Sequence, residues 1–536
     1  LLSAFHEQTL CARTVKGRIM ASVLSAKQGL LKIADVASTR AFIAQLTAAP
    51  PAQRQAQLLT QLQLLAETGV AGAARLQALE LLRLVLLETQ HARSRDYWDR
   101  PVPYDDETRE IFRRSVAVWC ALADAYESLI ADIADSEELA AQAALVCYRA
   151  VRCTGFAMTA HNRAYHAVPG ALWEQMHRLY AFAESAGVTE IPVRENADAS
   201  STVQLAYLQT VLTQRANPDA LTLLQMNTIG RALAQWLPLC RISAEPVASN
   251  PDLALGVDLG SAEGAHRIRH LKGSQLRYLD LEGLGGKLRE TAVQLKTRSP
   301  EKIGLGAIAR EACEKLMLTL HERWLAPGTG RLDERKLVSF NVKVSPTLAS
   351  IHLAVSGKSF APPDAGLNSR ARFEMAGFER VDGPAPEDVS ASREQEVWTV
   401  ANQSVSGVLG LCRKPAQSAR ISHNQLLGLI APNGNSYLGF VQRLNVDAEG
   451  LVWVGLRLLR AKAQAIAARI ADPQVRYSQA LLLPAGGDEP ATVVVSPGTY
   501  APGQRLDIHD GSPRQIRLDT LLDSGSNFER ATFSAA

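Results

Sequence analysis

Two arginines four residues apart, Arg331 and Arg335 in GRLDERKL, carry the clearest chemistry in this chain, together with a polar cluster downstream, Asn402-Gln-Ser404-Val-Ser-Gly407. A guanidinium is a planar fork that can meet a phosphate, or the N7/O6 edge of a purine, with two parallel hydrogen bonds. It can also stack on a base, which an ammonium does less well. Asparagine adds an amide acceptor, and serine a hydroxyl that donates or accepts. Glycine lets the main chain approach a ligand with no Cβ in the way. These residue types suit holding a phosphorylated, base-bearing ligand.

Other constellations are weaker. GVDLGSAEG, residues 256–264, resembles the first phosphate loop of the actin and sugar-kinase superfamily, where Asp258 and Gly260 would meet a nucleotide. That fold needs a second such loop and a parallel sheet, and neither is visible, so an ordinary turn is the competing reading. Leu521-Leu-Asp-Ser-Gly-Ser526 resembles the Asp-Ser-Gly turn of retroviral-type aspartic proteases, without the following half-barrel, and reads as a turn. His266 and His270 would share one face of a helix and could hold a metal. The surrounding Arg and Lys would repel a cation, so a solvated basic segment, or an anion- or partner-binding face, is the alternative. His161 and His166 sit among aromatic helical residues and read as packing. Cys412 has no paired histidine and reads as core. No Walker loop, GxSxG elbow or catalytic triad is present. The expectation is a protein with no catalytic or metal-binding residues and no cofactor: a binder, not an enzyme.

The elements that must position these residues change along the chain. Residues 1–245 read as helix after helix, with apolar residues recurring at three- and four-residue steps, as in ARLQALELLRLVLLET. They predict a solenoid-like helical interaction domain without a clean repeat period. EPVASNPD marks a linker. Residues 246–330 mix a strand, LRYLDLEGL, with two helical patterns, Gly286–Lys296 and Ala307–Trp324. From residue 331 to 462 the chain becomes strand-rich: VSFNVKV, EVWTVANQ, QLLGLIAP, SYLGFVQRL and LVWVGLRLL are short, β-branched or aromatic, and bounded by turn residues. Five or six such strands make a small barrel. An insertion near 345–392 begins with an amphipathic stretch, TLASIHLAV, and ends in a Pro/Asp/Glu/Ser run. Residues 463–536 hold further strands, either a second β-module or an elaboration of the first. The fold class is therefore multidomain α+β, an all-α half followed by a small antiparallel barrel and more strands.

Bulk properties narrow the partners. At 536 residues the chain is too long for one core. Hydrophobic residues make up 47% and charged residues 21%, ordinary for a globular protein. A net charge of +3 gives no global case for a nucleic-acid polymer or an anionic membrane, so any anion site must be local. Seven scattered cysteines with no CxxC pair read as reduced thiols. No run approaches the ~18 apolar residues of a membrane span, and no signal peptide is evident. A cytoplasmic location is expected.

The RxxxR pair followed by NxSxxG, leading into barrel-like strands, resembles the two-part signature of PilZ domains, small β-barrels that bind cyclic diguanylate (cyclic di-GMP). The resemblance covers about 130 residues and says nothing of the helical half. It implies that Arg331 and Arg335 clamp phosphate and guanine, that Asn402 and Ser404 read the guanine, and that Gly407 shapes the turn. Asn402 stands where many family members carry aspartate, and 66 residues separate Arg335 from Asn402, a longer gap than usual, filled by the insertion. A receptor that passes dinucleotide binding to a protein partner of the helical half is the leading expectation. Biofilm and motility control are what the resemblance implies for output. The rivals are a PilZ-like adaptor that has lost its ligand and, more distantly, an actin-like ATPase resting on Asp258 and Gly260.

Overall fold

The computed structural model describes residues 30–68, 70, 72–195, 199–246, 254–325, 335–363, 395–404, 408–413, 419–459, 461–486 and 490–536. Its N-terminal half is helical. The long helices are α1 (Val36–Leu46), α2 (Pro51–Glu67), α3 (Gly72–Ser94), α4 (Asp106–Glu127), α5 (Ala143–Arg163), α6 (Gly170–Ser185), α7 (Val203–Arg215) and α8 (Leu223–Trp236). Starts are fixed by side chains that satisfy free backbone donors: Asp35 and Ser38 form a capping box on α1, Asp105 caps α4, and Thr222 with Gln225 caps α8. Each long helix packs mainly on helices one or two places along the chain. α5 is buried on most of its surface, as its Ala-, Val- and Cys-rich sequence requires.

Two small antiparallel sheets accompany these helices. β1 (Val193–Arg194) and β2 (Ser200–Ser201) make a small ribbon. β3 (Arg241–Ser243), β4 (Leu255–Asp258), β5 (His266–Arg267) and β6 (Leu276–Asp280) form an antiparallel sheet in the order β3-β6-β4-β5. Helices α9 (Glu282–Leu295) and α10 (Arg310–Trp324) pack on each other, and the buried Trp324 indole donates to the Leu212 carbonyl of α7 at 3.0 Å.

The remainder is two closed six-stranded barrels. The first comprises β7 (Arg335–Ser345), β8 (Glu396–Ser404), β9 (Val408–Arg413), β10 (Leu426–Ile430), β11 (Ser436–Val446) and β12 (Val452–Leu458). The second comprises β13 (Gln464–Ile470), β14 (Ser478–Leu483), β15 (Thr492–Val495), β16 (Arg505–His509), β17 (Pro513–Ser524) and β18 (Glu529–Ala535). Their connectivity is the same. In each, strands one to three and strands four to six form meanders, strand three pairs with strand six, and strand one pairs with strand four, all antiparallel. Closure leaves no open sheet edge.

Two seams hold these bodies together. The first barrel meets the helices by exchanging main-chain hydrogen bonds between Val102 and Ile421, and by Val446 bonding to Tyr165 and Ala167. Arg443 reaches Asp219 at 2.7 Å and Arg420 reaches Asp105 at 3.1 Å across the same seam. Helix α11 (Leu348–Ser356), formed by the TLASIHLAV stretch, wedges between the barrels, where Ile351 is buried beside Leu481, Val494 and Phe528. Phe440 of the first barrel stacks on Phe528 of the second, with ring centroids 5.0 Å apart.

Inside the first barrel one ion pair replaces apolar packing. The fully buried Arg413 guanidinium donates to both Glu396 oxygens, at 2.7 and 3.0 Å, and the Trp398 indole and the Ala419 amide donate to the same carboxylate. Burial pushes the Glu396 carboxyl up, but these donors outweigh it and hold the group below the ordinary glutamate range. A carboxyl lowered by folding adds stability that is complete above its unfolded value, about 4.3. That stability is lost as pH falls through the folded value. We therefore expect the barrel to weaken on acidification below that range. Glu396→Ala, which strands Arg413 without its partner, should cost about 3–5 kcal/mol. Urea unfolding at pH 7 and pH 4 reads both effects, and the variant's unfolding should lose the part of the pH dependence that Glu396 supplies.

Candidate ligand-binding face on the first barrel

β8 begins with a strict alternation. Glu396, Trp398 and Val400 point inward and are buried. Continued unbroken, that alternation would turn residues 402 and 404 inward as well. A β-bulge between Val400 and Asn402 inserts Ala401 and shifts the register by one. Asn402 then pairs with Leu337 on one side and Gly410 on the other, on the outer face, where Leu337 is 88% exposed. The strand read in EVWTVANQ persists through Ser404, and the hydrogen bonds to β7 and β9 hold these residues extended.

The β7–β8 register sets the backbone of Arg335 opposite Ser404 and Leu337 opposite Asn402. The second arginine of the sequence pair and the serine of the polar cluster thus become cross-strand neighbours despite the 66 residues between Arg335 and Asn402. Arg335 is the first residue of β7. Arg331 and Gly407 lie outside the described residues, and of Arg335 only the backbone is described.

Beyond Asn402 the outer face is built of glycine. Gly410 pairs with Gly455 of β12, and Gly455 with Arg443 of β11. The Asn402 carboxamide lies across Gly410: a Cβ at that position would sit 2.6 Å from its Nδ2 and 2.8 Å from its Oδ1. Among the described residues the buried Oδ1 of Asn402 has no hydrogen-bond partner. An acceptor without a donor is costly, and it is the group a ligand N–H could satisfy. One row further, Val408 pairs with Arg457, whose side chain is half exposed. Gly410, Gly455 and Arg457 are absent from the sequence-based site. LVWVGLRLL does alternate so that Trp453, Gly455 and Arg457 share the outer face, but the β9–β12 pairing that brings them beside Asn402 joins strands far apart in the chain.

The other candidates resolve differently. Asp258 accepts from the Gly260 amide at 3.1 Å in a tight turn, and its strand lies in an antiparallel sheet, not the parallel sheet a phosphate loop needs. His266 and His270 do not share a helix face, because the chain there is a strand followed by a single 3-10 turn. His266 instead lies 3.1 Å from the Glu263 carboxylate. His161 is half-buried against Phe112, and desolvation pushes its imidazole down to about 4, as fits a packing residue. Cys412 lies within β9, half-buried, and burial raises its thiol.

The geometry defines a small β-barrel with a motif-bearing outer face, flanked by a helical domain and a second barrel. Residues 37–247 match the family model for the N-terminal domain of the cyclic-di-GMP receptor FimW, and residues 464–536 match the model for the FimW C-terminal beta-barrel domain. The first barrel lies between the two matched segments. The cyclic-di-GMP receptor FimW of Pseudomonas aeruginosa is 25% identical over 203 residues, 37% of this chain and 33% of that protein. The match thus spans about a third of the relative's length. No solved structure matches the chain significantly.

Gly410→Ala should force the Asn402 carboxamide off the strand and cost about 1–3 kcal/mol. In an Asn402→Ala background the same change should cost much less. Urea titration of the four variants gives the coupling directly; equal costs in both backgrounds would contradict this packing.

Proposed function

We propose that this chain is a cyclic di-GMP receptor whose site is the outer face of the first barrel at β7 and β8. In this reading the barrel is PilZ-like and acts by binding, without catalysis, in the cytoplasm. Arg331 and Arg335 hold phosphate and one guanine edge through bidentate contacts. Asn402 and Ser404 meet the base, and Gly407 admits the main chain close to the ligand. The observation that carries the reading is the cross-strand pairing of Arg335 with Ser404, beside the unpartnered acceptor of Asn402. Similarity on both flanks to a protein named as a cyclic-di-GMP receptor supports it.

The helical half is then the output surface, contacting a protein partner. Asn402, Gly410, Gly455 and Arg443 form one continuous cross-strand row, and Arg443 ends it on Asp219 of the helical half. Ligand ordering the start of β7 changes the helical half only if that row, or the Ile421 and Val446 bridges, differs between free and bound states.

Calorimetric titration of cyclic di-GMP into the full chain tests the proposal, beside an Arg331→Ala/Arg335→Ala variant. We expect saturable binding that falls by at least ~100-fold in the variant, each lost charged contact being worth roughly 1.5–3 kcal/mol. No heat with folded wild-type protein would favour the ligand-free adaptor.

A further inference from the structure

We infer that the seam between the helical half and the first barrel is a proton-sensitive joint, closed by neutral His161, His166 and His423 and loosened when they take up protons. The inference stands apart from the receptor reading. Main-chain hydrogen bonds stitch this seam at two places. At the first, the Val446 amide donates to the Tyr165 carbonyl at 2.7 Å, and the Ala167 amide to the Val446 carbonyl at 2.9 Å. At the second, Val102 and Ile421 exchange bonds at 2.9 and 2.8 Å. His166 lies inside the first bridge, and His423 follows Ile421 by two residues. His161, in the last turn of α5, accepts the His166 amide on its carbonyl at 2.9 Å.

The rings sit in surroundings that favour the neutral form. His166 donates from Nδ1 to the Ala164 carbonyl at 2.8 Å, and its ring tilts against Phe112 and Tyr104, with centroids 4.6 and 5.4 Å away. His161 meets Phe112 at the ring edge, and its buried Nδ1 has no hydrogen-bond partner among the described residues. A proton added there would be a buried donor without an acceptor. His423 stacks on Tyr165 across the seam at 6.1 Å, and neither of its buried ring nitrogens makes a well-formed hydrogen bond among the described residues. Tyr165 itself holds φ at 54°, a left-handed backbone that is costly for an aromatic residue. The bridge to Val446 thus fixes a conformation that the chain would leave if the seam weakened.

The charges around these rings set the sign. His161 and His166 face each other, and His166 faces Arg109 of α4, which is paired with Asp106. His423 faces the Asp219 carboxylate, which Arg443 already holds at 2.7 Å. On the barrel side Asp447 follows Val446 and is held by the Trp453 indole at 2.7 Å. Desolvation pushes all three imidazoles below their ordinary range, His161 down to about 4. An imidazole lowered by packing adds stability that is complete above its free value, about 6.5. That stability is lost as pH falls through the packed value. Asp99, which faces Tyr104 and Tyr165, is raised by burial and acts in the opposite sense. The joint therefore weakens from about pH 6.5 downward, above the range in which the Glu396 pair is lost.

Amide hydrogen exchange of the full chain without ligand, at pH 7.5 and pH 5.5 and corrected for intrinsic rates, tests the joint. A free imidazole is about ten times more often charged than neutral at pH 5.5. Protection at Val446 and Ala167 should therefore fall about tenfold through His161 alone, and further through the other two. Protection of β12 (Val452–Leu458) should fall much less. His161→Phe, which keeps the aromatic packing, should remove about tenfold of the loss, and His161→Phe/His166→Gln/His423→Gln should abolish it. Thermal unfolding at pH 7.5 checks each fold; if neither variant folds, the wild-type contrast between the seam and β12 decides. Seam protection within about twofold at the two pH values, an equal loss in β12, or an undiminished loss in a folded triple variant would each overturn the inference. None of these outcomes bears on cyclic di-GMP binding at pH 7.5, so the receptor reading stands or falls separately.

Discussion

A carboxylate inside a β-barrel is tolerable only if its charge is met on every side, and the group that meets the charge of Glu396 fixes the geometry of the face opposite. Arg413 of β9, Trp398 of β8 and the Ala419 amide all converge on it. Slipping β8 by one residue would turn Trp398 and Val400 to solvent and leave Arg413 buried without its anion. The register this enforces at the start of β8 is transmitted through the Ala401 bulge to its end, where Asn402 and Ser404 emerge on the outer face opposite Leu337 and Arg335. Stability and site are thus linked through one strand: its first half is anchored inside the barrel and its second half is re-aimed outward.

The two barrels put one topology to two uses. The first sits between the helices and the second barrel, held by main-chain bridges on one side and by α11 and the Phe440–Phe528 stack on the other. Its motif-bearing face lies between those seams, with Arg443 tied to the helical half and Arg457 to the second barrel. The cross-strand rows of this face end at both neighbours. That position suits a receptor whose output lies elsewhere in the chain, since a bound molecule can bias both seams only through contacts that differ between the two states.

Much of this was legible in the residues. The apolar periodicity of the first half reads as helix and forms helix, and VSFNVKV, QLLGLIAP, SYLGFVQRL and LVWVGLRLL correspond to β7, β10, β11 and β12 to within a residue or two at most ends. The capped TLASIHLAV stretch is α11. Other features were not legible, for physical reasons. A bulge has no side-chain signal of its own at Ala401, so nothing in EVWTVANQ shows that Asn402 leaves the inward alternation of Glu396, Trp398 and Val400. Pairing of β9 with β12, and of β7 with β10, joins strands across long connections, which local pattern cannot specify. Gly410 and Gly455 looked like ordinary strand glycines until the register put them side by side under Asn402 and Arg443. The likeness of the two barrels is one of connectivity, and no repeated motif announces it.

The most direct test of the account is amide hydrogen exchange on the full chain, with and without cyclic di-GMP. The account predicts that ligand slows exchange at 335–337, 402–404 and 455–457 together, and changes it at the seams around 421, 446 and 528. Ligand-dependent protection centred instead on the turn at Asp258–Gly260, or none on β7 and β8 under saturating ligand, would contradict it.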